Sequence, residues 1–401
     1  MGAAVKQYLK YILALILTVQ VVCLCCVFSA CTPASATESA PASVPAPSDP
    51  VENYSRWLNA HCSASVATRG EWLRDLLTYT PAGEDAGESH SDAELFLAAY
   101  EASIIDSADC TPYTALTRGY AAATLMRAMR YEPVTVVEVA DEDADEAMLT
   151  LVYFGYFVPD EENRVYPEAT VTHEEYTALT AELQRAALLR GKTILSFGDS
   201  IMFGVGNKGE GISDVIADKY GMTSVDYSMC RATLGVNGEN SHIPDQLRAA
   251  AAASETADLI LLNGGTNDML HVPCGVMNPD SDETVFIEDT FAGGLETCFR
   301  LLRQYWDGVP VIFIRAHNMD ICDDAVERFY GEYALTIAEK WSVPTADIYE
   351  SFNAEDPDVR DRYTFYKEQI ERTDSIHPTP SGYAKYYLPK VSAIIEELLT
   401  Q

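Results

Sequence analysis

The second half of the chain alternates short apolar runs with helix-like runs, and this alternation limits the folds that it can adopt. Five apolar runs predict strands, at Thr193–Phe197, Ser224–Met229, Leu259–Asn263, Val309–Ile314 and Thr345–Tyr349. The stretches between them predict helices, at Ile212–Tyr220, Ile243–Ser254, Phe291–Tyr305 and Ala325–Trp341. Strands separated by helices form a parallel sheet with helices on both faces. The sequence therefore predicts a three-layer α/β domain with a five-stranded parallel sheet.

Three short polar motifs occur in this half, in an order that suits ester hydrolysis. Ser200 follows the first predicted strand in Gly-Asp-Ser, and Asn267 follows the third in Gly-Gly-Thr-Asn-Asp. Because parallel strands end at one edge of a sheet, Ser200 and Asn267 should lie close together. Asp374 and His377 form a carboxylate–imidazole pair near the C-terminus. These are the parts of a serine esterase, although each motif alone could be a helix cap, a turn or a loop hydrogen bond.

The three motifs together resemble the SGNH, or GDSL, hydrolase family over residues 191–401. The resemblance implies a flavodoxin-like three-layer fold. The residues between the first fifty and this region are numerous enough for a second, mostly helical domain at 54–190. The resemblance also implies that Ser200 is the nucleophile, that His377 is the general base and that Asp374 orients the imidazole. In this family the N–H of the nucleophile and the amide of the Asn267 position belong to the oxyanion hole. The implied chemistry needs no metal and no cofactor.

A second block of the family normally contributes a glycine N–H to the oxyanion hole. Arg231 stands at that position, in Ser-Met-Cys-Arg-Ala-Thr. The backbone N–H survives the change, but a side chain makes a positive φ costly. Three consequences stay open: Arg231 completes the oxyanion hole, it contacts an anionic substrate group, or it leaves the enzyme inactive.

Residues 54–190 show a weak internal repeat that is mostly helical. Three threonines at the helix starts are well placed as N-caps: Thr68, Thr117 and Thr172. Arg69 and Arg118 follow the first two threonines, whereas His173 follows the third. The order of helix, loop, proline, Thr-Arg and helix resembles the S-layer homology repeat, which holds bacterial surface proteins to wall polysaccharide. The resemblance implies that Arg69 and Arg118 bind glycan; otherwise the region is a helical accessory domain.

The N-terminus carries a predicted export signal. Lysines precede an apolar run from Tyr11 to Ala30, as in a secretory signal peptide over residues 1–30. Ser29-Ala30-Cys31 resembles a bacterial lipobox, which implies that Cys31 is acylated and anchors the protein in the membrane. An uncleaved membrane helix and free secretion remain as alternatives. Residues 31–53 are rich in Ala, Ser and Pro, which predicts a flexible tether.

Composition and motif spacing argue against nucleic acid binding and against a metal site. The formal net charge is −34 at pH 7, with 61 acidic residues against 27 lysines and arginines, so nucleic acid binding is not expected. Among the cysteines after Cys31 no pair has the CxxC spacing of a metal site, and the histidines show no HExxH spacing.

These features predict a serine esterase on the extracellular face of a bacterial membrane, in contact with the cell wall. Its expected substrate is a small ester or an acylated glycan, from which it removes O-acetyl groups. The alternatives are a lipase-like or lysophospholipase-like acylhydrolase and a non-enzymatic wall-binding lipoprotein.

Overall fold

The structure, a computed structural model, describes residues 66–84, 91–107, 110–238, 241–279, 285–367 and 372–399. All of them belong to one compact unit, Ser63–Gln401. The predicted signal at 1–30, Cys31 and the tether at 31–53 lie outside the described residues. No helix in the described ranges is long and apolar enough to cross a membrane.

A five-stranded parallel sheet forms the centre of the α/β region, in the order β2-β1-β3-β4-β5, as predicted. Its strands are β1 Thr193–Phe197, β2 Thr223–Asp226, β3 Leu259–Asn263, β4 Val311–Arg315 and β5 Thr345–Asp347. The second strand ends earlier than the sequence predicts. Its chain turns toward the loop after β1 instead, where the N–H of Met229 donates to the carbonyl of Gly198 at 3.1 Å. This turn positions one wall of the active site.

Both faces of the sheet are buried, which explains the nearly continuous apolar character of its strands. Leu195 and Phe197 point into one hydrophobic cluster, whereas Ile194 points into the other. Successive side chains of a strand point to opposite faces, so one short strand serves both clusters. The helices that flank or connect the strands are α7 Ser200–Phe203, α8 Ile212–Tyr220, α9 Ile243–Ala252, α10 Asp268–His271, α11 Phe291–Tyr305 and α12 Asp324–Lys340.

An antiparallel hairpin and a C-terminal helical segment complete the α/β region. The hairpin consists of β6 Thr364–Lys367 and β7 Arg372–Pro378, and sequence periodicity did not predict it. Strand β7 carries the Asp-Ser-Ile-His-Pro motif. The remaining helices are α13 Pro357–Tyr363, α14 Pro380–Gly382, a π-helical turn Tyr383–Tyr387 and α15 Leu388–Leu399.

The region before the sheet is helical, with α1 Arg69–Tyr79, α2 Pro81–Glu84, α3 Asp92–Glu101, α4 Arg118–Met129, α5 Glu146–Tyr153 and α6 His173–Leu189. Thr68, Thr117 and Thr172 are N-caps, as the sequence predicts. Each hydroxyl accepts a hydrogen bond from the N–H three residues further along. In the first and third repeats a glutamate completes the capping box.

Backbone hydrogen bonds join the three repeats in a closed ring. The N–H of Leu116 donates to the carbonyl of Ala67 at 2.9 Å, and the N–H of Val171 donates to the carbonyl of Leu116 at 2.8 Å. The N–H of Ala67 donates to the carbonyl of Val171 at 3.3 Å and closes the ring. All three residues are buried. Each repeat therefore has a donor partner and an acceptor partner, and the loss of one would leave buried polar groups unpaired.

The helical region and the sheet share one hydrophobic cluster. Leu73 and Leu125 of the repeats belong to the same cluster as Ile194 and Leu261 of the sheet. Polar contacts reinforce this packing, since the hydroxyl of Tyr131 donates to the carbonyl of Lys219 at 2.5 Å. The repeats and the α/β region are therefore joined by a continuous apolar core.

Candidate active site

The loop after β1 presents Ser200 at the first position of α7. Asp199 caps this helix, because its Oδ1 accepts from the N–H of Ile201 at 2.9 Å. Gln246 holds the same loop from α9: its Oε1 accepts from the N–H of Gly198 at 2.9 Å, and its Nε2 donates to the carbonyl of Gly198 at 2.8 Å. A buried side chain therefore fixes the backbone directly before the predicted nucleophile.

The structure brings Ser200, His377 and Asp374 into one hydrogen-bonded chain. Nε2 of His377 lies 2.8 Å from Oγ of Ser200, and Nδ1 lies 2.5 Å from Oδ2 of Asp374. A close approach supports the loop that carries His377, since a Cβ on Gly206 would lie 2.2 Å from the carbonyl oxygen of Pro378. Glycine at this position lets the chain after α7 pack directly against the histidine loop.

Four donors surround the carboxylate of Asp374. Its Oδ1 accepts from the backbone N–H groups of Ile376 and His377, both at 3.0 Å. Its Oδ2 accepts from the His377 ring and lies 2.9 Å from Nζ of Lys367. Burial alone would raise the pKa of Asp374, but the hydrogen bonds and the charges of His377 and Lys367 outweigh it and hold that pKa well below its usual range. Asp374 is therefore ionised at neutral pH.

His317 lies buried beneath this loop and fixes its shape. Its Nδ1 lies 2.7 Å from the hydroxyl of Tyr387, and its Nε2 lies 3.2 Å from the carbonyl oxygen of Ser375. Because a carbonyl only accepts, Nε2 carries the proton and Nδ1 accepts from Tyr387. Ser375 has a φ of +60°, which is unfavourable for a residue with a side chain. His317 thus holds a strained residue between Asp374 and His377.

The predicted oxyanion residues lie next to the loop that carries Ser200. Nδ2 of Asn267 donates to the carbonyl of Ala232 at 2.9 Å, which leaves the second amide hydrogen for a ligand. Arg231 adopts a φ of +66°, the conformation expected of the glycine that it replaces. In the described part of the chain, the backbone N–H groups of Ser200 and Arg231 have no acceptor. These unpaired donors are the groups that an oxyanion hole requires.

Arg69 and Arg118 lie in the repeats, and each contacts the following repeat. The guanidinium of Arg69 lies over the ring of Tyr120, 4.1 Å from its centroid. Nη1 of Arg118 donates to the carbonyl of Val165 at 2.7 Å, and Nη2 pairs with Glu175. Arg118 is therefore neutralised within the protein, whereas Arg69 faces an uncharged aromatic ring.

Sequence reasoning missed Lys367 and Gln246, and it assigned no chemistry to His317 although its place after the fourth strand suggested the pocket; all three support the site without belonging to a motif. Lys367 reaches Asp374 across a hairpin whose strands have no clear apolar alternation. His317 and Gln246 act from a distant strand end and a distant helix, so only the folded chain shows their partners. No group of three or more possible metal-ligating side chains occurs among the described residues.

We expect Lys367→Met to move the acid limb of the kcat/KM profile to higher pH by about half a unit and to lower kcat a few-fold. Loss of the cation makes proton uptake by the coupled triad easier. The measurement is a pH profile with a soluble ester at low salt. Lys367→Arg should keep the limb in place, as should Lys390→Met at an exposed position. An unmoved limb in Lys367→Met would show that Lys367 does not act on the triad.

Burial and the nearby His377 lower the pKa of His317 to about 3. An unfolded histidine titrates at about 6.5, so the unfolded chain alone binds this proton as the pH falls from about 6.5 to 3, and stability decreases. Urea unfolding of the wild type should therefore lose about 2 to 3 kcal/mol more between pH 7 and 4.5 than His317→Gln does. Burial raises the pKa of Asp268 and Glu327 to about 7, so their proton uptake stabilises the folded protein as the pH falls. This contribution is the same in the wild type and in His317→Gln. Equal losses would contradict the prediction.

Solved structures of similar chains match about half of this chain. A Lactobacillus plantarum protein is 20% identical, with a TM-score of 0.42, over 52% of this chain and 98% of its own. A lipase/acylhydrolase from Enterococcus faecalis is 17% identical, with a TM-score of 0.34, over 51% and 94%. An acetyl xylan esterase from Geobacillus stearothermophilus is 17% identical, with a TM-score of 0.34, over 50% of this chain and 95% of its own.

A comparison with curated protein sequences finds no match. The model of the GDSL-like lipase/acylhydrolase family matches residues 196–385, which include the Ser200 loop, the Asn267 turn and the histidine loop. The predicted resemblance to the SGNH, or GDSL, hydrolases is confirmed: residues 196–385 form a domain of the GDSL-like lipase/acylhydrolase family.

Proposed function

We propose that the protein is a serine esterase that removes short acyl groups, in particular O-acetyl groups, from a carbohydrate at the cell surface. One observation carries the catalytic part of the proposal. Oγ of Ser200, the ring of His377 and the carboxylate of Asp374 form a continuous chain at 2.8 and 2.5 Å. This geometry suits a hydroxyl nucleophile that is activated by an oriented base.

In the acylation step, Nε2 of His377 takes the proton of Ser200 as Oγ attacks the ester carbonyl. Asp374 keeps Nδ1 protonated and stabilises the imidazolium that forms. Negative charge develops on the carbonyl oxygen, where the N–H groups of Ser200 and Arg231 and the Asn267 amide can donate. The alcohol leaves with the proton from His377, and the acyl group stays on Ser200.

Deacylation repeats these steps with water as the nucleophile. His377 removes a proton from water, which attacks the acyl-enzyme carbonyl, and the same oxyanion donors stabilise the second tetrahedral intermediate. Collapse returns the proton to Ser200 and releases the carboxylic acid. Part of this arrangement is fixed before the substrate arrives, since Gln246 holds the loop that carries Ser200 and His317 holds the loop that carries His377. Such fixed dipoles need little reorganisation in the transition state.

The preference for a short acyl group rests on the space next to the Asn267 turn. A cavity of about 30 Å³ lies there, with Gly265, Thr266 and Met269 in its lining. An acyl group that entered this cavity would have to be short, because the volume is that of about two water molecules.

A lipase-like acylhydrolase is the second candidate, because three exposed apolar side chains come from the loops that form the site. Phe203, Met229 and Leu270 have exposed fractions of 38%, 50% and 48%. They belong to the Ser200 helix, the turn before Arg231 and the helix after Asn267. An apolar rim of this kind would suit a longer acyl chain.

The test is hydrolysis of 4-nitrophenyl esters of increasing chain length and of acetylated xylo-oligosaccharides. The wild type should prefer acetyl esters, and Ser200→Ala should be inactive although folded, since it lacks the attacking oxygen. Asn267→Ala should lower kcat by roughly 10²–10³ with little change in KM. Full activity in folded Ser200→Ala would refute the mechanism, and a preference for long chains would favour the lipase-like candidate.

The proposed location at the cell surface depends on two separate attachments. Cys31 would anchor the chain in the membrane through a lipid. The repeats would bind wall polysaccharide, with Arg69 as the main contact, because its guanidinium faces the Tyr120 ring rather than a carboxylate. An arginine beside an aromatic ring can bind a carboxylate and stack a sugar. Arg118 is less available, since Glu175 already pairs with it.

We expect Cys31→Ala to release the protein from cells or to leave its signal uncut, because no lipid can be attached. The released protein should still sediment with purified wall polysaccharide, and the further change Arg69→Ala should reduce this by about tenfold. Arg118→Ala should have the smaller effect. N-terminal mass spectrometry and sedimentation measure the two attachments. An unmodified Cys31 in the wild type, or a repeat region that stays in the supernatant, would contradict the respective part.

A further inference from the structure

We propose that the ester substrate carries a carboxylate, as in an acidic sugar, and that the side chain of Arg231 binds this group. The inference rests on the proposed esterase function and specifies its substrate class. It concerns the guanidinium of Arg231, not the backbone N–H that belongs to the oxyanion hole.

Arg231 lies in a turn that is anchored on both sides to the site. On one side the N–H of Met229 donates to the carbonyl of Gly198, two residues before the nucleophile, at 3.1 Å. On the other side the carbonyl of Ala232 accepts from the Asn267 side chain at 2.9 Å. Arg231 is therefore held between the nucleophile loop and the Asn267 turn, at the edge of the space that a bound ester must occupy.

The backbone of this turn is adapted to glycine. The N–H of Ala232 donates to the carbonyl of Met229 at 3.1 Å, which makes Arg231 the third residue of a β-turn. Its φ of +66° is the value that favours glycine at this position, and a side chain there costs about 1 kcal/mol. Backbone strain of this kind is concentrated where a side chain has a function.

No contact within the protein explains why an arginine occupies this position. The side chain of Arg231 is exposed, and in the described ranges it has no hydrogen bond, ion pair or aromatic contact. Other arginines of this acidic protein do have partners: Arg118 pairs with Glu175 and Arg248 pairs with Glu288. An unpaired cation at the edge of an active site is available to a ligand.

Charge identifies the group that this cation would bind. With 61 acidic residues against 27 basic ones, the protein repels anionic substrates in general. A guanidinium beside the nucleophile provides a local exception, and it forms two parallel hydrogen bonds with a carboxylate. Arg231 would therefore select acidic substrates over neutral ones.

The test compares two pairs of acetyl esters. The first pair is anionic 4-acetoxybenzoate and its neutral methyl ester. The second pair is acetylated galacturonate oligosaccharides, which are anionic, and acetylated xylose oligosaccharides, which are neutral. In the wild type, kcat/KM should favour the anionic member of at least one pair, and added salt should weaken this preference. Arg231→Gln and Arg231→Gly should lower the ratio of anionic to neutral kcat/KM about tenfold. Arg231→Lys should retain part of it. Because the same variant cleaves both members of a pair, the ratio of the two kcat/KM values cancels any effect of the substitution on the oxyanion hole.

The outcomes separate this inference from the function on which it rests. If the wild type cleaves the neutral esters but shows no preference within either pair, or if Arg231→Gln keeps the wild-type ratio, the role of Arg231 is refuted and the esterase function stands. If the wild type cleaves no ester, the proposed function fails and the inference fails with it. Circular dichroism confirms that each variant is folded.

Discussion

The active site depends on one carboxylate. Asp374 collects two backbone N–H groups of its own loop, the His377 ring and the ammonium of Lys367. These donors come from both strands of the hairpin, so a single ionised group fixes the loop, the imidazole and the neighbouring strand together. Its burial would favour the neutral form, but the donors reverse that preference. The same contacts that hold the hairpin in place therefore keep Asp374 ionised and the His377 ring oriented.

Sequence periodicity predicted the five-stranded sheet because both of its faces are buried, which makes each strand a short apolar run with a polar loop after it. The N-caps Thr68, Thr117 and Thr172 were predictable for a local reason, since capping involves only the residues of the first turn. The positions of Ser200 and Asn267 followed from parallel topology. The sequence did not predict the long-range contacts. The hairpin that carries Asp374 lacks apolar periodicity, and the buried His317 that holds its loop comes from a distant part of the chain.

Arg231 shows how a departure from a family pattern gains meaning only in the structure. The sequence left open whether Arg231 completes the oxyanion hole, contacts an anionic substrate group or leaves the enzyme inactive. The backbone keeps the glycine-like conformation, with a φ of +66°, so the N–H stays in position. The side chain is exposed rather than packed into the site. The change thus preserves the local geometry and adds a charge at its edge.

The hydrophobic cluster that joins the repeats to the sheet has a consequence for how such a protein evolves. Modules that are connected by linkers can be exchanged between genes, because each folds alone. Here Leu73 of the repeats and Leu261 of the sheet belong to one core, so a foreign module in place of the repeats would leave apolar surface of the hydrolase exposed. The repeats and the hydrolase must therefore diverge as a pair, and substitutions at their junction are constrained by packing.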